Sequence, residues 1–206
     1  MNVNGVAVAT VISNAISSAI LYFKLIKSDK YIKVETRKIR IDKENFINII
    51  KIGLPAGMQS AVFSVANIII QSAINSLGTV VIAASGAAFN IEIFAYYVMN
   101  SFSQACTTFV GQNYGAGKLD RCKKTLALSI GEDAVASGIA VATALSAGRF
   151  LLSIFNNDPE VIELGYTRLV YIFFAYIFSM LYEVMSGYLR GFGISLVPAI
   201  LTMVGV

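Results

Sequence analysis

The fold is decided by a stretch of forty residues without a charge, numbers 52–91: IGLPAGMQSAVFSVANIIIQSAINSLGTVVIAASGAAFNI. As one α-helix it would be about 60 Å long at 1.5 Å per residue, roughly twice the thickness of a bilayer's hydrocarbon core. The stretch must therefore turn back on itself, and residues 75–78 (NSLG) are typical of a turn. The sequence thus predicts two membrane-spanning helices, at 52–75 and 80–102. Pro55 falls in the first turn of the former, where its missing N–H costs little.

The rest of the chain continues this pattern. It is 56% hydrophobic and 14% charged, whereas soluble domains contain about 45–50% apolar and about 25% charged residues. Uncharged runs also cover residues 1–23, 93–117 and 134–148. These features predict an all-α integral membrane protein, a polytopic helical bundle with about five full transmembrane helices and a truncated sixth. The further spans are expected at 3–23, 134–155 and 161–189, with the sixth beginning at 196.

The charges predict the topology. Basic residues concentrate in two polar connectors, 24–51 and 111–124, and cytoplasmic loops of membrane proteins accumulate Lys and Arg. If both connectors and Arg190 are cytoplasmic, fourteen of the sixteen Lys and Arg lie inside, with Arg149 and Arg168 as the exceptions. The net charge of +4 is explained in this way, so no nucleic-acid partner is expected. The alternation in residues 31–41 would also fit a strand, but a solvated linker is preferred.

Several function classes are disfavoured by residues that the sequence lacks or spaces unsuitably. It contains no His, and Cys106 and Cys122 do not have the spacing of metal ligands, so they are interpreted as reduced packing residues. Residues 111–118 resemble a phosphate-binding loop, but the glycine spacing is one residue too long. No enzymatic activity, cofactor or metal is therefore expected. Met1 leads directly into a hydrophobic run without a basic segment or cleavage site, so no signal peptide is expected.

Four short motifs carry a family resemblance. They are GLPAG at 53–57, GQNYGAGK at 111–118, NDPEV at 157–161 and LRGFG at 189–193. In this order and at this spacing the sequence resembles the MATE (multidrug and toxic compound extrusion) transporters. Each motif alone is weak, but the four together cover nearly the whole chain.

The resemblance implies a twelve-helix exporter with two six-helix lobes, of which roughly half is present. Residues 1–23 would be the last helix of the N-terminal lobe, 24–51 the cytoplasmic connector between lobes, and 52–206 an incomplete C-terminal lobe. Such proteins export amphipathic, often cationic compounds, driven by inward H⁺ or Na⁺. The sodium-coupled branch carries acids in helices that correspond to 52–75 and 161–189. This sequence has Phe63 and Ser179 there, which puts a sodium site of that kind in doubt.

Glu92 is the most informative candidate residue. It lies near the middle of the expected 80–102 span, and an acid at a helix centre costs roughly 2.5–3.5 kcal/mol on insertion scales. That cost is tolerated when the side chain faces a cavity or a partner. Glu92 is therefore expected to bind a proton or a cationic substrate, and the alternative is a paired carboxyl that holds helices together.

A polar stripe on the preceding helix supplies a second group of candidates. Gln59, Asn67 and Gln71 recur with two serines at helical spacing, so they share one face. In lipid such a stripe must face protein or water. It is expected to line a cavity or an interhelical seam, and the two remain open.

Other polar residues are given structural interpretations. Glu132 and Asp133 are expected at the inner membrane interface, because the fourth span is placed at 134–155. Glu183 is expected near the same interface, where pairing with Arg190 would be at the limit of reach. The aromatic residues of the fifth span are expected to be packing groups rather than a cage for cations; they are Tyr171, Phe173, Phe174, Tyr176 and Phe178.

The leading functional hypothesis is a secondary antiporter that exports organic cations in exchange for H⁺ or Na⁺ across the cell membrane, within the lipid bilayer. One alternative is a lipid-linked oligosaccharide flippase of the same superfamily, for which a wider and more basic cavity is expected. Another is a truncated, non-transporting membrane fragment, because alternating access needs two halves.

Overall fold

The structure, a computed structural model of the chain, describes residues 3–28, 34 and 40–205. Two compact units are present, residues 1–46 and 47–206, and the division falls within the second helix. Five helices of the described residues are long and apolar enough to cross a membrane, which confirms the predicted all-α polytopic architecture. The helices are α1 (Val3–Lys27), α2 (Lys43–Ser76), α3 (Thr79–Gly115), α4 (Leu119–Ser146), α5 (Gly148–Ser153), α6 (Pro159–Gly191) and α7 (Leu196–Gly205).

The first unit contains α1 and the beginning of α2. The connector expected at 24–51 is partly helical, because α1 continues to Lys27 and α2 begins at Lys43. Asp42 caps α2 by accepting a hydrogen bond from the Asn45 N–H at 2.9 Å, which satisfies one of the free donors of the first turn. Residues 29–33 and 35–39 lie outside the described residues, and most of the strand-like alternation falls there.

The second unit begins with a helix hairpin whose second arm is longer than predicted. α3 has 37 residues and ends at Gly115, so the connector expected at 111–124 is reduced to a short turn between two helices. The link to α4 is short, and Gly117 turns it with a φ of 70°, a conformation that favours glycine. The basic residues that suggested a connector lie in the first turns of α4, because Lys and Arg are good helix formers.

The fourth span expected at 134–155 is also wrong. α4 runs from Leu119 to Ser146, and the chain breaks at Ala147 before the short helix α5. Gly148 follows the break and lies under the Tyr166 ring, where an added methyl group would be 3.0 Å from ring carbons. This close packing of α5 on α6 explains the bend. As a consequence, residues near 133 lie in the middle of α4 and not at its end.

The core of the second unit is formed by α3, α4 and α6. α6 begins at Pro159 behind an Asp158 cap, whose carboxylate accepts from the Glu160 N–H at 2.9 Å. α4 packs against α6. α2 and α3 do not pack along their length, since α2 stands away from α3 and cavities lie between them. Within α2, all of which the structure describes, Gln59 is the one buried residue.

Candidate functional site

Glu92 forms a two-pronged ion pair with Arg168 across α3 and α6. The Arg168 Nε donates to Oε1 at 2.8 Å and its terminal nitrogen donates to Oε2 at 3.1 Å. The side chains are 8% exposed for Glu92 and 27% for Arg168. Two parallel charge-assisted hydrogen bonds fix the orientation of both groups. Tyr176, two turns further along α6, donates to the Glu92 backbone carbonyl at 3.4 Å. The carboxyl is thus both paired and held in place.

This ion pair lies in the wall of a cavity of about 560 Å³ between α2, α3 and α6. Asn67 and Gln71 line the cavity from α2, and Glu92 and Arg168 line it from the opposite side. The remaining lining is mainly apolar, with Phe89 from α3. A largely apolar cavity with a few convergent polar groups is the usual form of a small-molecule site.

A second cavity of about 410 Å³ adjoins the first, because Asn67, Phe89 and Glu92 line both. It adds Tyr96 and Tyr176 to the wall, together with the half-buried carboxyl of Glu183. The two cavities form one cleft, which we call the α2–α3–α6 cleft and define by the residues that line them. The charged residues of the cleft are Glu92 and Arg168, which neutralise each other, and the acid Glu183.

The structure brings three of the four predicted site residues to this cleft and leaves the fourth elsewhere. Gln59 of α2 is 4% exposed and contacts α6 and α7. Its amide nitrogen donates to Tyr182 at 3.1 Å and to Thr202 at 2.8 Å, while Arg190 donates to its carbonyl oxygen at 2.8 Å. All its hydrogen-bonding groups therefore serve to join helices. Arg190 bonds to Gln59, whereas no ion pair with Glu183 is found among the described residues.

The aromatic residues of α6 separate by environment. Phe173 is buried in the core, and Tyr176 borders the cleft. The other three point outward, where an apolar ring faces lipid in a membrane; Tyr171 and Phe174 are each 76% exposed and Phe178 is 69% exposed. Of these five aromatic residues, only Tyr176 lines the cleft.

Asp133 departs most from the sequence-based expectation. It was expected at the inner interface with Glu132, but it lies halfway along α4 and is 0% exposed. The predicted span began at 134, whereas the helix that carries Asp133 begins fifteen residues earlier, at Leu119. Glu132, its neighbour in sequence, is exposed. Successive helix positions point about 100° apart, so one acid can enter the core while the next faces outward.

A second Arg–Glu pair has nearly the same geometry in an exposed place. Arg149 of α5 donates to Glu163 of α6 at 2.6 and 3.0 Å, and both side chains are more than half exposed. The Arg149 guanidinium also lies over the Tyr166 ring, 4.1 Å from its centre. The hydrogen bonds to Glu163 raise the pKa of Arg149 above its ordinary value. This pair borders neither cavity of the cleft.

The sequence does not predict Arg168 as the partner of Glu92. Arg168 was noted as an exception to the charge pattern, which was the available signal, because a basic residue near the outer end of a helix requires a reason. Both cysteines are free and buried, as predicted. Among the residues that the structure describes, no group of three or more Cys, Asp or Glu is placed to hold a metal ion.

Comparison with known proteins finds relatives that are named as export or transport proteins. The chain is 23% identical over 206 residues to the probable multidrug resistance protein YoeA of Bacillus subtilis, which covers 98% of this chain and 44% of that protein. It is 24% identical over 165 residues to the multidrug export protein MepA of Staphylococcus haemolyticus, covering 80% of this chain and 36% of MepA. It is 25% identical over 163 residues to an FAD transporter of Shewanella oneidensis, covering 79% and 36%.

The chain thus spans about 36–44% of the length of these relatives. No solved structure gives a significant match. The family model described as MatE matches residues 55–206, which include α3, α4, α5 and α6 entirely and nearly all of the α2–α3–α6 cleft's helices. With that match over most of its length, the chain belongs to the MatE family and is a multi-pass protein of the plasma membrane.

Proposed function

We propose that this chain is part of a secondary active antiporter that exports amphipathic or cationic organic compounds in exchange for H⁺ or Na⁺. The observation that carries the proposal is the α2–α3–α6 cleft, which Asn67 and Gln71 line together with Glu92. The names of the relatives YoeA and MepA support export of drugs. Residues 52–206 would form the incomplete C-terminal lobe of the exporter, 1–23 the last helix of the other lobe, and 24–51 the link between them.

The ion pair suggests how a cationic substrate would be recognised. Glu92 is already bonded to Arg168, so an organic cation in the cleft would have to compete with that guanidinium for the carboxylate. The competition would release Arg168 toward the water of the cleft, to which it is already 27% exposed. The aromatic rings of Tyr96 and Tyr176 would cover the apolar part of the substrate. Asn67 and Gln71 would supply uncharged hydrogen-bonding groups, which suits a broad range of compounds.

A second candidate function is the export of an anionic compound. The specific observation in its favour is Arg168, a cation in the wall of the cleft, and one relative at 25% identity is named an FAD transporter. An anion would pair with Arg168 and release Glu92. A lipid-linked oligosaccharide flippase receives less support, because the one arginine in the 560 Å³ cavity is already neutralised by Glu92.

A single substitution separates the two candidates. Cells that express the protein containing this chain should accumulate less of a fluorescent cationic dye than cells without it, and Glu92→Gln should abolish that difference. Under the anion hypothesis the same change frees Arg168, so export of an anionic dye should increase. Glu132→Gln is the matched control, since this acid is exposed on α4 outside the cleft.

A second comparison tests the cleft without altering a charge. Asn67→Leu should lower dye export several-fold, whereas Asn90→Leu should leave it unchanged, because Asn90 is exposed and bonds to the Gly86 carbonyl of its own helix. Equal effects of the two substitutions would show that the cleft is not the substrate site. A protein that exports no cationic or anionic dye would favour the non-transporting alternative.

A further inference from the structure

Asp133 is a buried acid that the proposed substrate site does not use. It lies about 20 Å from either end of α4, at 1.5 Å per residue between Leu119 and Ser146. Its exposure is 0%, so neither lipid headgroups nor bulk water reach it in this conformation. A buried acid is rare in membrane helices and marks a functional group or a buried pair.

The hydrogen bonds of Asp133 are too few for an ionised carboxylate. Ser137, one turn later, donates to Oδ1 at 2.5 Å. Within the described part of the chain, Oδ2 has no hydrogen-bond partner, and no Lys or Arg lies within ion-pair distance of either oxygen. An ionised carboxylate offers about four acceptor sites, of which one is used here. A buried charge without a partner is strongly disfavoured, so the packed core favours the protonated acid.

The helices around Asp133 supply no compensating charge. One turn before it, Ile130 packs on a cluster that contains the Cys106 thiol of α3. From α6 the facing titratable groups are Glu183, which also has the Arg190 guanidinium nearby, and Tyr176. Arg190, the nearest cation along α6 to Glu183, gives its described hydrogen bond to Gln59. Arg190 is thus close to Glu183, whereas no Lys or Arg pairs with Asp133 among the described residues.

Ser137 connects Asp133 to a cavity. This cavity of about 250 Å³ lies between α3, α4 and α6 and is lined by Ser137, Tyr176, Met99 and Met180 among others. Tyr176 also lines the α2–α3–α6 cleft and bonds to the Glu92 backbone. The path from Asp133 therefore runs through a hydroxyl and a cavity to the wall of the substrate site.

We propose that Asp133 is a proton-binding site of the transport cycle, reached through Ser137 from the α3–α4–α6 cavity. The inference rests on the proposed antiport and names its coupling ion. With the proton bound, the neutral acid is compatible with the close packing of α3, α4 and α6 seen here. When the proton leaves to water, the carboxylate disfavours that packing and stabilises a conformation in which α4 separates from its neighbours and water enters. Protonation of Asp133 thereby couples to the shape of the cleft.

The test uses the intact protein that contains this chain, purified in detergent. Its infrared difference spectrum between acidic and alkaline solution reports the C=O stretch of each protonated carboxyl. We expect a buried-carboxyl band that Asp133→Asn removes and that Glu132→Gln, the exposed neighbour, leaves unchanged. This readout does not depend on transport, so it distinguishes failure of the proton site from failure of the proposed function.

A binding measurement completes the test. If a cationic dye competes with one proton, the Kd of the dye should change about tenfold per pH unit in the range where the site titrates. In Asp133→Asn the Kd should change by less than about twofold per pH unit. A band that persists in Asp133→Asn, or an unaltered pH dependence, would overturn the proposal. So would a dye affinity that follows Na⁺ concentration but not pH. If Asp133→Asn does not fold, Ser137→Ala decides, because it keeps the acid and removes its hydrogen bond. An infrared band at the wild-type position in Ser137→Ala would then refute the assignment.

Discussion

Removing one partner of the Glu92–Arg168 ion pair should destabilise the helical bundle at least as much as removing both. Breaking a fully buried pair typically costs about 3–5 kcal/mol, because one charge is left without a partner. Arg168 is 27% exposed and can turn toward the water of the cleft, so we expect roughly 2–3 kcal/mol for Glu92→Gln and a similar value for Arg168→Gln. The double variant retains two amides that can bond to each other, and it should cost only about 2 kcal/mol in total. The coupling energy would then be about 2–4 kcal/mol, at the upper end for contacting residues.

The chain provides its own control for this prediction. Arg149 and Glu163 form the same kind of pair, with hydrogen bonds of 2.6 and 3.0 Å, but their side chains are 58% and 60% exposed. The same three substitutions there should give a much smaller coupling that weakens further in high salt. The free energies would be measured by titrating the folded protein in mixed micelles with a denaturing detergent. Equal coupling energies for the two pairs would refute the reasoning, because burial would then not set the strength of the Glu92–Arg168 pair.

Two further predictions concern helix packing. Gly187→Ala should destabilise the fold by roughly 2–3 kcal/mol, because the new methyl group would lie 2.5 Å from the Ser103 carbonyl oxygen and would separate α3 from α6. Gly86→Ala, with open space around it, should be neutral in the same thermal-melting assay, and equal losses would contradict the close approach. Gln59→Leu should cost about 2 kcal/mol, since three interhelical hydrogen bonds are lost at about 0.6 kcal/mol each in membranes and the Arg190 guanidinium loses its partner. Melting of Gln59→Leu at the wild-type temperature would show that this network does not hold α2 to α6 and α7.

The number of helices could be predicted from the sequence because the bilayer imposes a length on each span. The turn at residues 75–78 could also be predicted, since α2 and α3 meet there. Helix ends elsewhere could not, because residues that disfavour a membrane interior do not disfavour a helix. Lys123 and Lys124 were interpreted as part of a connector, yet they lie within α4. The resulting shift of the fourth span concealed the depth of Asp133.

The sequence predicts which residues belong to the candidate site better than it predicts which side chains they contact. Periodicity places Asn67 and Gln71 on one face of α2, and the cost of a buried acid singles out Glu92. The partner of Glu92 is 76 residues away in sequence, and no local pattern connects them. Gln59 belongs to the same periodic stripe as Asn67, but α7 covers it. Which part of a polar face is covered depends on a neighbouring helix, and that cannot be inferred from the stripe itself.

α6 connects the two proposed binding events physically. Its Arg168 holds Glu92 of α3, and its Tyr176 lines both the cleft and the cavity that Ser137 of α4 borders. Towards the other end of α6, Gly187 brings its backbone so close to α3 that a methyl group would not fit. The α3–α6 contact is therefore fixed by sterics at one end and held by an exchangeable ion pair at the other. A substrate that takes Arg168 from Glu92 loosens the exchangeable end alone. Because α6 packs on both α3 and α4, that loosening also alters the surroundings of Asp133, and exchange of substrate for a proton requires a connection of this kind.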